Sequence, residues 1–158
     1  MSTDVAVSSG LIVPPISSLM VHQVREISQD WMNVKNPLDI GPSGIYSKLL
    51  PMLLADQEID MVLAIMVIPY EAVRNFKSAG FRVRDWFGDI SSVREQYPEK
   101  PLVGVVIGHP EYLDDIASLC GRSIPIFTSP EAAAQALAAL WSYSKARKKL
   151  GKKRSDIS

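Results

Sequence analysis

The stretch MVLAIMVI at residues 61–68 decides the fold class of this chain, because an unbroken apolar run of this length is typical of a strand covered on both faces. A second run, LVGVVI, occupies residues 102–107, and a shorter one, IPIF, occupies residues 124–127. A helical pattern follows each of the three runs. This alternation of strand and helix predicts an α/β fold with a mainly parallel sheet.

Residues that start and stop helices delimit the helical patterns. Pro130 suits the first turn of the last helix, and Gly121 suits the end of the helix before it. The long pattern over residues 71–97 contains glycines, so an interruption is expected at Gly80 or Gly88.

The pattern before the first strand is less regular. Either Ser17 or Ser18 is predicted to cap one helix, and Ser43 to cap a second. Pro51 lies inside the second helix and is expected to kink it or to split it in two. Residues 38–40 are interpreted as a short extended stretch between prolines.

Composition limits the classes of protein to consider. The chain has 158 residues, of which 47% are hydrophobic, and this suits one domain with a buried core. No apolar run is long enough to span a membrane, and no basic segment leads an apolar one, so neither a membrane span nor a secretory signal is predicted. The single cysteine excludes an internal disulfide, which is compatible with the cytoplasmic location that we expect.

The net charge of zero conceals an uneven distribution. Residues 145–158 carry seven of the 17 basic and one of the 17 acidic residues, which leaves ten basic and 16 acidic residues, a formal charge of −6, in the rest. That acidic body would repel nucleic acid, so no nucleic-acid partner is predicted. The chain is accordingly divided into a connector at residues 1–17, a domain at residues 18–145 and a basic tail at residues 146–158.

Ligands of parallel sheets bind beyond the carboxyl ends of the strands, and three candidate residues lie at such ends. Ser43 and Gly44 can offer backbone N–H groups to a phosphate, or they can form an ordinary helix cap. Asp39 can cap a helix, hold the glycine-containing loop open or contact a ligand. The first two roles are structural, and we favour them.

The histidines and the cysteine give no pattern typical of a metal site. His109 follows the second strand and could be phosphorylated or act as an acid–base group. No matching motif and no acidic partner are evident in the sequence, so a loop-positioning or surface role is favoured. His22 is interpreted as a solvated or structural residue, and Cys120 as a core thiol. No metal ligand and no catalytic residue is predicted in this chain.

Residues 36–39, Asn-Pro-Leu-Asp, resemble the Asn-Pro-(Val/Leu)-Asp motif of NDP-forming acyl-CoA synthetases, which are relatives of succinyl-CoA synthetase. The resemblance extends over residues 4–145 and rests on the order and spacing of several short motifs. These are GLIVP at residues 10–14, the acidic turn at residues 56–60, KPLV at residues 100–103, SIPIF at residues 123–127 and SPEAA at residues 129–133.

The resemblance implies a flavodoxin-like three-layer sandwich that belongs to an acid–thiol ligase. That enzyme converts acyl-CoA, NDP and phosphate into acid, CoA and NTP through an acyl phosphate and a phosphohistidine, and it uses CoA, the nucleotide and Mg²⁺. This type of domain holds the phosphohistidine loop with a helix N-terminus, where free N–H groups favour an anion.

The same resemblance assigns roles to individual residues. It implies that Tyr70 and Glu71, at the start of the helix after the first strand, share a phosphate site with Ser43 and Gly44. Within the Asn-Pro-Leu-Asp motif it implies a structural role for Asn36, Pro37 and Asp39.

Several parts of the synthetases have no counterpart in this sequence: a phosphohistidine motif, a glycine-rich CoA-binding turn and an ATP-grasp domain. We therefore expect the chain to be inactive alone and to work with other domains or subunits, and we also expect a homo-oligomer. The family's first strand has no clear counterpart either. Residues 5–7 are a remnant of it, a partner supplies it, or the sheet closes without it.

A second hypothesis is a stand-alone flavodoxin-like module that binds a small ligand or has a regulatory role. Association with a chain that carries the CoA, histidine and nucleotide sites would favour the synthetase domain, whereas independent binding of a small ligand would favour the module. A phosphoacceptor receiver domain is disfavoured because no aspartate ends the first strand. A dinucleotide-binding domain is disfavoured because no G-x-G-x-x-G follows any strand.

Overall fold

The structure, a computed structural model, describes residues 2–41, 43–68, 70–80, 82–121 and 123–155. Strands and helices alternate from residue 62 onward, after three helices that precede the first strand. The elements are α1 (Ser2–Ser8), α2 (Ser18–Ile27), α3 (Tyr46–Ala55), β1 (Val62–Ile68), α4 (Tyr70–Ser78), α5 (Val83–Phe87), α6 (Ile90–Gln96), β2 (Leu102–Gly108), a short 3-10 helix (Pro110–Tyr112), α7 (Leu113–Cys120), β3 (Ile126–Phe127) and α8 (Pro130–Ser155).

The sheet contains three parallel strands in the order β1-β2-β3. β1 pairs with β2 along its whole length, from Val62 opposite Leu102 to Ile68 opposite Gly108. β3 adds a short pairing at the far side of β2. The predicted α/β fold with a parallel sheet is confirmed, and it is consistent with a flavodoxin-like sandwich.

Helices cover both faces of the sheet, and the side chains of β1 alternate between them. The even-numbered residues of β1 are buried in a core formed with α3, α4, α5, α6 and α7. The odd-numbered Leu63 and Ile65 face the other side, where Val103 and Val105 of β2 pack against Leu137 of α8. This two-sided burial explains why the strands are unbroken apolar runs rather than alternating ones.

A third hydrophobic cluster lies outside the sheet. Met20 and Val24 of α2 pack against Leu49 of α3 and against Ile40 and Met32 from the segment between the two helices. α3 contributes Leu50 and Leu54 to the sheet core as well. Because it belongs to both clusters, α3 fixes the position of the segment before it relative to the sheet.

Helix boundaries follow the signals in the sequence at several points. The Ser17 hydroxyl accepts the Met20 N–H at 3.1 Å and caps α2, as predicted. Pro130 opens α8, and Gly121, with a φ of +59°, ends α7. The predicted interruption of residues 71–97 occurs at both glycines, since Gly80 follows α4 and Gly88 follows α5, each with a positive φ.

In the region before β1, one of the three alternatives for the missing strand is excluded and one expected helix cap is wrong. Residues 5–7 lie in helix α1 and do not form a strand. In the stretch at residues 38–40, which was expected to be extended, Asp39 forms an isolated antiparallel bridge with Asn33. Ser43 does not cap α3, since the helix begins at Tyr46 after Gly44 has turned the chain with a φ of +70°.

α3 continues through Pro51 as one helix. The predicted division of the chain at residues 17 and 145 stays a prediction, although residues 2–8 form a helix that packs on α8 and the basic residues up to 155 continue α8. No helix in the described part of the chain is long and apolar enough to cross a membrane.

Candidate functional site

The carboxyl ends of β1 and β2 lie side by side and bring Tyr70 and His109 together. Ile68 and Gly108, the last residues of the two strands, are register partners. A Cβ atom on Gly108 would lie 2.8 Å from the Ile68 carbonyl oxygen, so only glycine allows this close approach. As a result the rings of Tyr70 and His109, which follow the two strands, have centroids 4.6 Å apart.

Two cations lie beside this aromatic pair. Arg74 of α4 lies 5.8 Å from the centre of the Tyr70 ring and forms an ion pair with Glu71 at 2.7 Å. Lys77, one turn further on, lies over the ring of Tyr112, which in turn packs against Tyr70 with centroids 5.9 Å apart. The Arg74–Glu71 ion pair is exposed, so it contributes little to stability.

Tyr70 and Glu71 stand in the first turn of α4, where free N–H groups and the helix dipole favour negative charge. The Glu71 carboxylate already supplies such a charge. An incoming phosphate would therefore compete with Glu71 for the helix N-terminus and for Arg74.

The Asn-Pro-Leu-Asp motif anchors the segment that leads to α3. The Asn36 side-chain amide donates to the Pro14 carbonyl at 2.8 Å, and the bond between Asn36 and Pro37 is cis. The Asp39 carboxylate accepts the N–H of Gly41 at 3.2 Å, which holds the turn as an Asx-type loop. Asp39 thus contacts the loop that follows it.

Ser43 and Gly44 lie in this loop, just before α3. The Ser43 N–H donates to the Ile40 carbonyl at 3.2 Å. The Ser43 hydroxyl oxygen is buried and has no hydrogen-bond partner among the described residues, which is uncommon for a buried polar atom. Within the same residues, no hydrogen bond joins Ser43 or Gly44 to Tyr70 or Glu71, so the assignment of a shared phosphate site stays a prediction.

Tyr46, which the sequence analysis did not identify, connects the loop to the sheet. Its hydroxyl donates to the Ile65 carbonyl oxygen of β1, and its ring lies edge-on to Phe87 at 5.0 Å. Burial, with a smaller contribution from the negative charge of Asp39, raises the pKa of Tyr46 to about 12. The only sequence signal for this role is an aromatic hydroxyl two residues after a glycine.

The Tyr46 hydroxyl satisfies a backbone carbonyl on the outer edge of β1, the edge that faces away from β2. The Val62 N–H donates to the Pro101 carbonyl at 2.9 Å. The backbone groups of the even-numbered residues of β1 therefore form hydrogen bonds with β2, whereas those of the odd-numbered residues point to the outer edge of the sheet. Ile65 is at the centre of that edge, and Tyr46 satisfies its carbonyl there.

The remaining predicted residues lie away from this site. His22 is exposed on α2, with a ring nitrogen 3.5 Å from Glu26. Cys120 is buried, and burial raises the pKa of its thiol to about 11, so it is protonated and poorly nucleophilic at neutral pH. The described residues include no group of three or more histidine, cysteine or acidic side chains that could hold a metal ion.

Comparison with solved structures finds the same fold in much longer chains. The protein PH0766 from Pyrococcus horikoshii OT3 is 27% identical, with a TM-score of 0.70 over 88% of this chain and 31% of that one. A dinucleotide forming acetyl-coenzyme A synthetase 1 from Ca. Korarchaeum cryptofilum is 20% identical, with a TM-score of 0.68 over 96% of this chain and 32% of that one. The chain resembles one domain of an acyl-CoA synthetase.

This likeness confirms the fold that the sequence motifs indicated. The Korarchaeum synthetase matches equally well in its structure with phosphate and ADP. The chain spans about a third of the length of these proteins, so further domains are implied. It matches no protein-family profile and no curated protein sequence.

Proposed function

We propose that the chain is one domain of an NDP-forming acyl-CoA synthetase, which converts acyl-CoA, NDP and phosphate into acid, CoA and NTP. The observation that carries the proposal is the match of almost the whole chain to about a third of a synthetase chain. The Asn-Pro-Leu-Asp motif at residues 36–39 and the motifs that follow it in order support the same assignment.

In this proposal the domain supports the phosphate site and does not perform the chemistry alone. The first turn of α4 offers N–H groups to an anion, with Arg74 next to it as a cation and the Tyr70–His109 pair beside it. The phosphohistidine itself would come from another domain.

Exposed apolar side chains near this site support a contact with other domains. Val67 is 59% exposed near the end of β1, and Ile107 is 40% exposed at the matching position of β2. Both face the side of the sheet on which α8 packs, and they are left uncovered next to the candidate site. Apolar side chains that stand together at a strand end are typical of a surface that another domain covers.

The test is reconstitution with the synthetase polypeptides, encoded in the same genome, that carry the CoA, phosphohistidine and nucleotide sites. We expect the chain to co-elute with them in gel filtration, and ATP to form from acetyl-CoA, ADP and phosphate only when both are present. The Tyr70→Ala variant should lower the rate of ATP formation. The His22→Ala variant changes an exposed ring on α2, away from this site, and serves as the control.

Calorimetric titration of the chain alone with ADP, CoA and phosphate separates the two hypotheses. No binding to the isolated chain, together with ATP formation by the mixture, supports the synthetase domain. Binding of one of these ligands without any partner, and no association with the synthetase polypeptides, would replace it with the small-ligand-binding module.

A further inference from the structure

The end of α8 carries an apolar stripe without a partner among the described residues. The first half of the helix packs on the sheet, and Leu137 is the last buried position. Beyond it, Leu140, Tyr143 and Leu150 are 49%, 67% and 65% exposed. Their spacing of three and seven residues places them along one side of the helix.

The charge around this stripe indicates what can cover it. Residues 145–154 carry seven lysines and arginines, and Arg147 lies within the stripe. A second α8 would bring like charges together, which disfavours pairing of this helix with itself. The surface that accepts the stripe should be apolar at its centre and acidic at its rim.

A cleft between α2 and α3 has these properties. It has a volume of about 680 Å³. Met20 of α2 and Met52 of α3 line it, and methionine side chains adapt readily to an inserted helix. Asp56 and Glu58 lie at the turn that follows α3, and no basic residue lines the cleft among the described residues.

The cleft and the stripe of one molecule cannot meet each other. α8 packs on one face of the sheet through Leu137, and α3 packs on the other through Leu50 and Leu54. α8 is continuous to Ser155, so its end cannot fold back around the sheet. Contact between the two surfaces therefore requires two molecules.

We propose that the projecting end of α8, residues 140–154, docks into the α2–α3 cleft of a second copy of this chain. A helix with an apolar stripe that enters an apolar groove is a common mode of recognition. Opposite charges favour this pairing, since residues 145–158 carry a formal charge of +6 and residues 1–144 carry −6. The interface involves neither the carboxyl edge of the sheet nor the residues of the proposed phosphate site.

Sedimentation velocity over a concentration series tests the proposal on the full chain. We expect reversible self-association that weakens as salt is raised, because exposed charges are screened. Arg147→Glu and Glu58→Lys should each raise the dissociation constant about tenfold, and the two together should restore it. These residues lie on separate surfaces of one molecule, so restoration can arise only from contact between copies.

Matched controls use the same change of charge elsewhere. Lys148→Glu alters the other side of α8, and Glu95→Lys alters α6 outside the cleft, so both should leave the dissociation constant nearly unchanged. A protein that stays monomeric at every concentration overturns the proposal, and so does an Arg147→Glu variant that associates like the wild type.

Disulfide trapping gives a second measurement. Leu19→Cys at the cleft and Leu150→Cys at the stripe are both exposed positions, and the native Cys120 is buried. Mixing the two variants under oxidising conditions should give a covalent heterodimer that neither variant forms alone. Equal yields of crosslinked product in the mixture and in the separate variants would contradict the proposed docking.

Discussion

Replacing Tyr46 with phenylalanine tests the connection between the candidate site and the sheet. The substitution keeps the ring, and with it the edge-on contact with Phe87, but removes the hydroxyl that donates to Ile65. The carbonyl of Ile65 faces the outer edge of β1, where the described residues offer it no other partner. We expect the variant to fold and to be less stable.

The magnitude at neutral pH follows from this lost hydrogen bond. A typical hydrogen bond contributes about 1 kcal/mol to the free energy of unfolding, and a buried carbonyl left without a partner costs about 1–3 kcal/mol. Tyr46 is largely buried, so the expected loss is about 1–2 kcal/mol, reduced if water reaches the Ile65 oxygen.

The dependence on pH gives an independent magnitude. The pKa of Tyr46 is raised from its ordinary value of 10.0 to about 12, so between these values the folded protein keeps a proton that the unfolded chain has released. The stabilisation is fully present below pH 10.0 and is lost as the pH rises toward 12. A pKa raised by about two units corresponds to a loss of about 2–3 kcal/mol as the pH rises through this range, and the phenylalanine variant, which has no hydroxyl to titrate, should not show this loss.

Urea denaturation of both proteins from about pH 8 to about pH 12 measures both effects. The wild type should be the more stable protein at pH 8. Its advantage should shrink above pH 10 and reverse near pH 12, because the loss linked to deprotonation is larger than the contribution of the hydrogen bond. Deprotonation of Cys120 also lowers the free energy of unfolding in this pH range. Because both proteins contain Cys120, this effect cancels in the comparison. Tyr143→Phe, at an exposed tyrosine, is the control. Parallel pH profiles for wild type and Tyr46→Phe would refute the reasoning.

Substitutions at two positions and one chemical modification test the fold around the site. Gly108→Ala places a Cβ atom 2.8 Å from the Ile68 carbonyl oxygen, and urea denaturation should show a loss of about 1–3 kcal/mol. Ser17→Ala removes the cap on the Met20 N–H and should cost about 1 kcal/mol in the same assay, whereas Ser17→Asn should cost less. Cys120 should react with a thiol reagent at pH 8 only after urea unfolds the chain, because the thiol is buried and its pKa is raised to about 11. Rapid reaction of the folded protein would contradict this expectation.

The sequence was sufficient to predict the part of the fold that depends on local patterns. β1, β2 and most helix boundaries after residue 60 follow from apolar runs, glycines and prolines, each of which acts within a few residues of its own position. The proximity of Tyr70 and His109 follows from one further rule, that adjacent parallel strands bring their carboxyl ends together. That rule places the two residues near each other, but the contact of their rings also requires the register of Ile68 with Gly108.

The segment before β1 could not be predicted in the same way, because its conformation depends on distant contacts. Asn36 is held by the carbonyl of Pro14, which lies 22 residues away, and Tyr46 is held by Ile65, which lies 19 residues away. Neither pairing leaves a periodic signal in the sequence. The predicted cap at Ser43 failed for a related reason, since Gly44 turns the chain and delays the start of α3.

The position of the loop that contains Ser43 therefore depends on one side chain next to it. The loop is tied to α3, α3 is buried in two hydrophobic clusters, and Tyr46 at the start of α3 donates to the edge of β1. β1 in turn leads directly to α4, where Tyr70 and Glu71 stand. If Ser43 and Tyr70 do contribute to one phosphate site, Tyr46 acts on that site by positioning. The Tyr46→Phe substitution should then lower phosphate-dependent ATP formation in the reconstituted synthetase at pH values where the protein is fully folded, and full activity would show that the loop is not part of the site.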